Sequence, residues 1–231
     1  MAAAFAALAA LGGCATAEVH EYRRIVMGAE CRILVAADEA SADRAAAAAF
    51  RRLAEVEEAL SDWIPSSEVR QLPARAGERV TVGPDLAAAL AASLEWSERT
   101  GGAFDATLGS LTAAWRDARR RGQPLGRAEA SALLARCGWR QVRFDAATRT
   151  YAAAVDGLRL DFGAIGQGLG ADAAMEAIRG TGVRSALVDL SGDILAGDPP
   201  PGRRAWTVAV DDGRGTVMFL RNQAVTTSGD R

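Results

Sequence analysis

The feature that most constrains the fold is a glycine-rich run in the third quarter of the chain. Residues 158–172 read LRLDFGAIGQGLGAD. The run predicts a strand that ends in Asp161, a loop with glycines at 163, 166, 168 and 170, and a helix that begins near Ala171. Glycine lets the backbone approach a ligand closely, and N–H groups at the start of a helix face an anion. The run therefore predicts a phosphate-binding loop.

The surroundings of this loop leave two folds open. Gly166-x-Gly168-x-x-Ala171, with Asp189 about 20 residues further on, is typical of a dinucleotide-binding Rossmann unit. However, Asp156-Gly157 is a strong hairpin signal, and it predicts that Tyr151–Val155 and Leu158–Phe162 pair as antiparallel strands before the loop. A Rossmann unit needs parallel strands at this point, so the hairpin argues against it.

The composition excludes several classes of function. At 231 residues, with 49% hydrophobic and 24% charged residues, the chain is that of an ordinary globular protein. A net charge of −2 gives no field that would gather nucleic acid, so no nucleic-acid partner is expected. The chain has no Lys, and its one His, His20, lies in a predicted tether. Mechanisms with a His base or a Schiff-base Lys are therefore excluded within this chain.

The N-terminus resembles an export signal. Met1–Cys14 is apolar but shorter than the roughly 20 residues that span a bilayer. It ends in Leu11-Gly12-Gly13-Cys14, which resembles a bacterial lipobox, although a basic segment before it is lacking. We therefore expect residues 1–21 to be a lipoprotein signal peptide and tether, with Cys14 lipidated and the folded part anchored to a membrane in the bacterial periplasm. Cys31 and Cys137 show no metal-ligand spacing and are interpreted as buried small side chains.

Hydrophobic periodicity predicts both helices and strands along the rest of the chain. The fold class that follows is α/β with α+β character, in which mixed and antiparallel sheets are flanked by helices. Helices are predicted over 41–60 with Ser41 as cap, 84–100, 108–120, 127–137 and 171–179, and strands over 22–36 with an interruption at Gly28, 79–82, 141–144, 151–155, 158–162, 185–190, 206–210, 216–220 and 224–227.

Six separated loop motifs, taken in order, resemble the ApbE family, the FAD:protein FMN transferases. The resemblance covers residues 22–231, and it implies an ApbE-like flavin transferase domain that lacks the C-terminal segment of the family. The motifs are Met27-Gly28, Ser61-Asp62-Trp63, GAFDAT at 102–107, LDFGAIGQG at 160–168, LVDLSGD at 187–193 and TSGD at 227–230.

The resemblance implies an enzyme that uses FAD as substrate together with Mg²⁺. It would transfer FMN to a Thr or Ser hydroxyl of an acceptor flavoprotein and release AMP. The cation would bridge the pyrophosphate oxygens and stabilise the charge on the leaving group. The alternatives are a catalytically impaired FAD-binding lipoprotein, an FAD pyrophosphatase and, with less support, a Rossmann-type NAD(P) oxidoreductase.

The same resemblance implies roles for individual residues, although it names no catalytic side chain. Met27 would pack by the flavin, Trp63 would stack in the place of the usual Tyr, and Asp161 would accept a hydrogen bond from the nucleotide. Ala103, Phe104 and Asp105 would form a loop that contacts FAD. The backbone carbonyl of Ala164 would be one metal ligand, and the remaining ligands, an Asp and a Thr, are expected beyond Arg231.

Two positions depart from the family pattern. Gln167 stands where the family commonly has Lys, so the loop supplies an amide instead of a charge to phosphate. Asp189-Leu190-Ser191-Gly192-Asp193 replaces the usual Asn-Leu-Gly-Gly-Asp. Taken singly, residues such as Asp105, Asp161 and Asp193 are more often turn or cap residues, and Trp63 and Phe104 are more often core or rim aromatics.

Overall fold

A computed structural model describes residues 18–210 and 215–227. The predicted lipidation site at Cys14 and the motif residues Ser228–Asp230 lie outside the described residues. The chain forms two compact units: the first contains the described residues up to Ala54 and from Gly170 onward, and the second is Glu55–Leu169. The chain passes from the first unit into the second within one helix and returns within another.

The described residues form ten strands and five helices, together with two short 3₁₀ turns at Glu68–Gln71 and Trp139–Gln141. In chain order they are β1 (Val19–Val26), β2 (Ala29–Ala36), α1 (Glu39–Leu60), β3 (Val80–Thr81), α2 (Pro84–Arg99), α3 (Gly109–Arg121), α4 (Arg127–Leu134), β4 (Val142–Asp145), β5 (Thr150–Ala153), α5 (Gly166–Gly180), β6 (Ala186–Leu190), β7 (Asp193–Ala196), β8 (Trp206–Ala209), β9 (Val217–Leu220) and β10 (Gln223–Val225).

The first unit is built on a five-stranded antiparallel sheet in the order β1-β2-β6-β7-β10. Alternate residues of β2 and β6 point to the same face, and there they pack against the alanine-rich side of α1 and against α5. The small side chains of α1 allow the helix to lie close to the sheet. The largest fully buried side chains of this core are Ile33, Val35, Leu53, Met175, Ile178, Val188 and Leu190.

The other face of this sheet is covered by the β8–β9 hairpin. Trp206, Val208 and Leu220 are buried against Leu187 and Ala196 of the sheet. The indole Nε1 of Trp206 donates to the Asp198 carbonyl at 2.9 Å, so the polar edge of this buried ring has a partner. The first unit therefore has three layers: helices, sheet and hairpin.

The second unit contains α2, α3 and α4 and a three-stranded antiparallel sheet in the order β3-β5-β4. Pro84 opens α2, as its place at the first turn predicted, and Leu86 and Leu90 of this helix are buried. Gly122 ends α3 with a φ of 64°. Tyr151 of β5 is the largest fully buried side chain.

The predicted hairpin at Asp156-Gly157 is wrong. β5 pairs with β4 through Thr150 and Asp145, and residues 158–162 are extended chain whose one strand-like contact is a single parallel bridge between Arg159 and Leu108. Asp156 instead accepts a hydrogen bond from the Ala76 N–H at 2.7 Å, so its carboxylate tethers two loops. A tertiary contact has overridden the local turn signal.

The predicted start of the last long helix is also wrong, since α5 begins at Gly166 and not near Ala171. The glycines at 166, 168 and 170 therefore lie within the helix. Gly170 packs closely there: a Cβ at this position would come within 2.7 Å of the Met27 Sδ and 3.2 Å of the Leu53 Cδ2, so these side chains would have to shift. Close packing of this kind is a common reason for glycine inside a helix.

These findings exclude the Rossmann alternative. The segment before α5 is not a strand, and every strand pair of the described chain is antiparallel. A Rossmann unit requires parallel strands joined by crossover helices. The fold is mixed α/β with antiparallel sheets and flanking helices, as predicted.

Smaller differences concern the ends of elements. The predicted strand 22–36 is two strands, β1 and β2, joined by a turn at Met27 and Gly28, which have φ angles of 54° and 69°. β1 begins at Val19, so His20 lies in a strand and not in a tether. Asp38, rather than Ser41, caps α1, because its Oδ1 accepts from the Ser41 N–H at 3.0 Å. Within the described residues, no helix is long and apolar enough to cross a membrane.

Candidate functional site

Asp161 is held in a fixed orientation by two donors. The Thr112 hydroxyl of α3 donates to its Oδ2 at 2.7 Å, and the Gly163 N–H donates to its Oδ1 at 2.8 Å. Its own N–H donates to the Ala106 carbonyl at 2.8 Å, which joins residues 158–164 to the loop before α3. The carboxylate is half-buried, and each oxygen keeps lone pairs for a further donor.

Asp105 organises the loop that contains Ala103 and Phe104. Its Oδ1 accepts from the N–H and the hydroxyl of Thr107 at 2.8 and 2.7 Å, and its Oδ2 accepts from the Trp139 N–H at 2.9 Å. Thr107 is 2% exposed, and its hydroxyl oxygen also accepts from the Gly138 N–H. Both carboxylate oxygens of Asp105 thus accept hydrogen bonds from the protein, as expected for a turn residue.

The backbone of this loop is more accessible than the Asp105 side chain. The Phe104 N–H is held by the Thr100 hydroxyl at 3.0 Å, whereas Ala103 is exposed and Phe104 half-buried. Gly101 and Gly102 have φ angles of 63° and 90°, and they turn the chain after α2 so that this backbone is presented.

The first turn of α5 has backbone groups that are available to a ligand. Its start is fixed by the N–H groups of Ile165 and Gly166, which both donate to the Phe162 carbonyl. Among the described residues, the Ala164 carbonyl accepts no hydrogen bond, and the N–H groups of Gln167 and Gly168 donate none. A helix start with free N–H groups favours an anion, and a free carbonyl oxygen favours a cation.

Trp63 is an exposed aromatic ring held from one side. It is 68% exposed, yet the Arg116 guanidinium of α3 lies 4.4 Å from the centre of its ring. Arg116 is also ion-paired with Asp62, the neighbour of Trp63. The Trp63 N–H donates to the Ser61 hydroxyl at 3.3 Å, so both backbone and ring are positioned. A cavity of about 190 Å³ lined in part by Asp62, Arg116 and residues 158–160 lies in this region.

Met27 belongs to the first unit, unlike the other predicted site residues. It is the first residue of the β1–β2 turn, and it is half-buried against the core of α1, α5 and the sheet. Its Sδ lies 2.7 Å from the position that a Cβ on residue 170 would take, so the absence of a side chain on Gly170 leaves room for Met27. Within the first unit Met27 is therefore a packing residue.

The Asp189–Asp193 segment forms the tight turn between β6 and β7. Ser191 has a φ of 56° and Gly192 a φ of 106°, and the Gly192 N–H donates to the Asp189 Oδ1 at 2.9 Å. The other Asp189 oxygen is ion-paired with buried Arg32 at 2.9 Å. Ser191 thus occupies a left-handed position that glycine adopts more easily, which explains why the family pattern has Gly there. Asp193 accepts from the Thr226 hydroxyl.

No cluster of three His, Cys, Asp or Glu side chains that could hold a metal exists in residues 18–210 and 215–227. Cys31 is buried and Cys137 half-buried, and both are free thiols. Burial raises the pKa of Cys31 to about 12, with a smaller contribution from Asp189, and burial also raises the pKa of Cys137. Both thiols therefore stay protonated at neutral pH, in agreement with their interpretation as small packing residues.

Two of the predicted residues of the second unit, Asp161 and Trp63, are held by side chains of α3. Thr112 and Arg116 lie four residues apart on one helix face, and they hold Asp161 and Trp63 respectively. Neither Thr112 nor Arg116 was predicted. The available signal was a polar residue and a cation four residues apart in the run LTAAWR at 111–116, but that spacing is common on helices without a site.

Comparisons with known proteins agree on one family. The sequence model of the ApbE family matches residues 27–231. An FAD:protein FMN transferase of Treponema pallidum (strain Nichols) is 34% identical over 247 residues, which cover 96% of this chain and 68% of the relative.

Solved structures give the same result. The ApbE protein of Thermotoga maritima superposes with a TM-score of 0.82 at 26% identity, covering 92% of this chain and 71% of the other. The flavinyl transferase ApbE of Pseudomonas stutzeri, in its apo form, superposes with a TM-score of 0.79 at 26% identity, covering 95% of this chain and 73% of the other.

Proposed function

Because the chain belongs to the ApbE family, we propose that it is an FAD:protein FMN transferase, which cleaves FAD and attaches FMN to an acceptor protein. The observation that carries the proposal is the Thr112–Asp161–Gly163 arrangement directly before the first turn of α5. It places an oriented carboxylate three residues from a free carbonyl and close in sequence to free N–H groups. This combination suits a nucleotide diphosphate, which needs both anion recognition and a hydrogen-bond acceptor.

The residues of the second unit divide the recognition of FAD between them. Trp63 offers an exposed ring on which a nucleotide ring can stack. Asp161 accepts a hydrogen bond from the nucleotide, and the exposed backbone around Ala103 and Phe104 supplies further contacts. The N–H groups of Gln167 and Gly168 face the phosphates, and the Gln167 amide adds a neutral donor in place of a cation.

We propose that transfer depends on Mg²⁺. The Ala164 carbonyl accepts no hydrogen bond from the described residues, so its oxygen is available to a cation that substrate phosphates and water also hold. When bound, Mg²⁺ would stabilise the charge that develops on the AMP leaving group. Within residues 18–210 and 215–227, the Ala164 carbonyl is the one metal ligand that we assign.

The acceptor is a flavoprotein with a Thr or Ser hydroxyl that attacks the phosphate attached to riboflavin. The bond from that phosphate to AMP breaks, the new phosphoester to the acceptor forms, and the hydroxyl proton passes to solvent water. The chain has no Lys, and its one His lies in β1. Stabilisation of the departing phosphate is therefore the contribution assigned to the α5 N-terminus.

We also propose that the protein is a lipoprotein of the bacterial periplasm, anchored to a membrane through Cys14. This proposal rests on the apolar N-terminal run and the Leu11-Gly12-Gly13-Cys14 sequence. Expression of the full chain with radiolabelled palmitate tests it, since the Cys14→Ser variant should lose the label. Label retained in that variant would contradict lipidation at Cys14.

The transferase proposal is tested by the mass of an acceptor domain. We expect incubation with the full chain, FAD and Mg²⁺ to add one FMN mass to a Thr-bearing acceptor, and the addition to be lost with EDTA or when the acceptor Thr is replaced by Val. The Asp161→Ala variant should slow the reaction by roughly 10- to 100-fold, because a contact worth on the order of 1.5–3 kcal/mol is lost. If the mass of the acceptor does not change, the proposal that this chain is a transferase is wrong.

A further inference from the structure

Three Trp rings in the described second unit have an Arg guanidinium over them. Of these three, only Trp63 is paired with an Arg that is distant in sequence. The Arg116 guanidinium lies 4.4 Å from the ring centre. The other two such pairs in this unit, Arg99 with Trp96 and Arg140 with Trp139, join close sequence neighbours. The contact between Trp63 and Arg116 therefore depends on the packing of α3 and not on local helix geometry.

Arg116 is itself fixed. Its guanidinium is ion-paired with Asp62, and the exposures of the two side chains are 32% and 16%. An ion pair that is partly withdrawn from water restricts the Arg side chain more than a fully exposed pair does. The flat guanidinium, held at one edge by the carboxylate, therefore covers one face of the Trp63 ring.

The exposed fraction of Trp63 shows that part of its ring is still accessible beside Arg116. A ring that is 68% exposed while one face is covered by a guanidinium has its other face open to solvent. An exposed indole without a contact on either face would sample several rotamers. Binding of a ligand ring would then cost conformational entropy, because only one rotamer stacks on the ligand. Arg116 removes most of that freedom before a ligand arrives.

We propose that Arg116 is a positioning residue for the flavin nucleotide, which holds Trp63 from behind so that its free face is ready to stack with a ring of FAD. This inference rests on the proposed function, since it assumes that FAD binds in the second unit. Arg116 contributes to the affinity for FAD through Trp63, and it does not touch the reacting phosphates. Its loss therefore raises the KM for FAD and leaves kcat unchanged.

The experiment is a double-mutant cycle on FAD affinity, measured by flavin fluorescence in the first seconds after the full chain is mixed with FAD and Mg²⁺, without an acceptor. Arg116→Met keeps the length of the side chain but removes its charge and its planar group. We expect it to raise Kd by roughly 3- to 10-fold, the range of a cation–ring contact. In a Trp63→Ala background the same change should raise Kd by less than about 2-fold.

Arg99→Met is the matched control, since it removes a cation 4.5 Å from the ring of Trp96, which is 46% exposed and outside the proposed site. Its Kd for FAD should match that of the unmodified chain. Thermal unfolding checks that each variant is folded. Where Arg116→Met unfolds, Arg116→Lys replaces it, because Lys keeps the charge beside Asp62 but not the flat group, and Kd should rise by a smaller factor.

The outcomes separate this inference from the proposed function. A Kd within 2-fold of the unmodified chain in Arg116→Met, or an equal rise in the presence and absence of Trp63, would overturn the role of Arg116 while FAD binding stands. A Trp63→Ala variant with unchanged affinity would do the same. Failure of the unmodified chain to bind FAD would remove the proposed function, and this inference with it.

Discussion

At the scale of single residues, several carboxylates of this chain are held in place by hydrogen bonds. Asp105 is occupied by Thr107 and the Trp139 N–H, and Asp189 by Arg32 and the Gly192 N–H. Asp161 has two neutral donors, the Thr112 hydroxyl and the Gly163 N–H, whereas Asp105 has three donors and Asp189 is paired with a cation. These partners are not visible in the sequence.

Tyr151 gives a prediction at this scale. Its hydroxyl is buried, and in the described part of the chain it has no hydrogen-bond partner. Removal of an unpaired buried hydroxyl relieves a desolvation penalty, so we expect Tyr151→Phe to raise the free energy of unfolding by about 1 kcal/mol, as measured by urea unfolding at pH 7.

The same residue makes stability depend on pH. Burial raises the pKa of Tyr151 to about 12 from its ordinary 10.0. The folded chain therefore favours the neutral phenol over the phenolate. The contribution of this preference to the free energy of unfolding is fully present below pH 10 and is lost as the pH rises from about 10 to about 12. Over that pH interval, the free energy of unfolding of Tyr151→Phe should fall less steeply with pH than that of the unmodified chain. Identical pH profiles for the two proteins would contradict the burial of the phenol.

At the scale of elements, α3 is the part of the second unit that positions the candidate site. Its Thr112 and Arg116 hold two of the proposed FAD-binding residues, and its first residue, Gly109, lies against the backbone that leads to Asp161. A Cβ on Gly109 would come within 2.7 Å of the Leu160 carbonyl oxygen and 2.8 Å of the Arg159 carbonyl oxygen. The Gly109 N–H also donates to the Arg159 carbonyl at 3.1 Å.

This close approach predicts a difference between two glycine substitutions. Gly109→Ala should lower the free energy of unfolding by about 2 kcal/mol and weaken FAD binding, because backbone atoms cannot move aside as a side chain can. Gly126→Ala is the control: no atom lies within 4 Å of its Cβ position, and its φ of −67° suits alanine. Urea unfolding of both variants checks this, and equal stabilities would show that α3 does not pack in this way.

Elements with strong periodicity were predictable, and those set by tertiary contacts were not. α2 and the β8–β9 hairpin follow the predicted limits closely, since Pro84 and alternating apolar residues define them locally. The strand predicted at 158–162 failed because that segment bonds to the loop before α3 instead of to a neighbouring strand. α5 starts before Ala171, so Gly166, Gly168 and Gly170 lie inside the helix, and of these Gly170 packs against Met27 and Leu53.

At the scale of the whole molecule, the order of motifs carried more information than any one of them. The glycine run alone allowed a dinucleotide fold that the antiparallel sheets exclude. The six motifs together indicated the ApbE family, which the match over residues 27–231 confirms. The roles of Met27, Trp63, Ala103, Phe104, Asp105, Asp161, Ala164 and Gln167 remain predictions, and the contacts of Thr112 and Arg116 depend on the packing of α3.

The ratio of two products shows whether FAD cleavage by this chain is coupled to FMN transfer. AMP released and FMN bound covalently to a Thr-bearing acceptor domain are measured in one reaction with the full chain, FAD and Mg²⁺. We predict one FMN on the acceptor for each AMP released, and little AMP without the acceptor. AMP and free FMN formed at the same rate with and without the acceptor would contradict it and assign FAD hydrolysis instead.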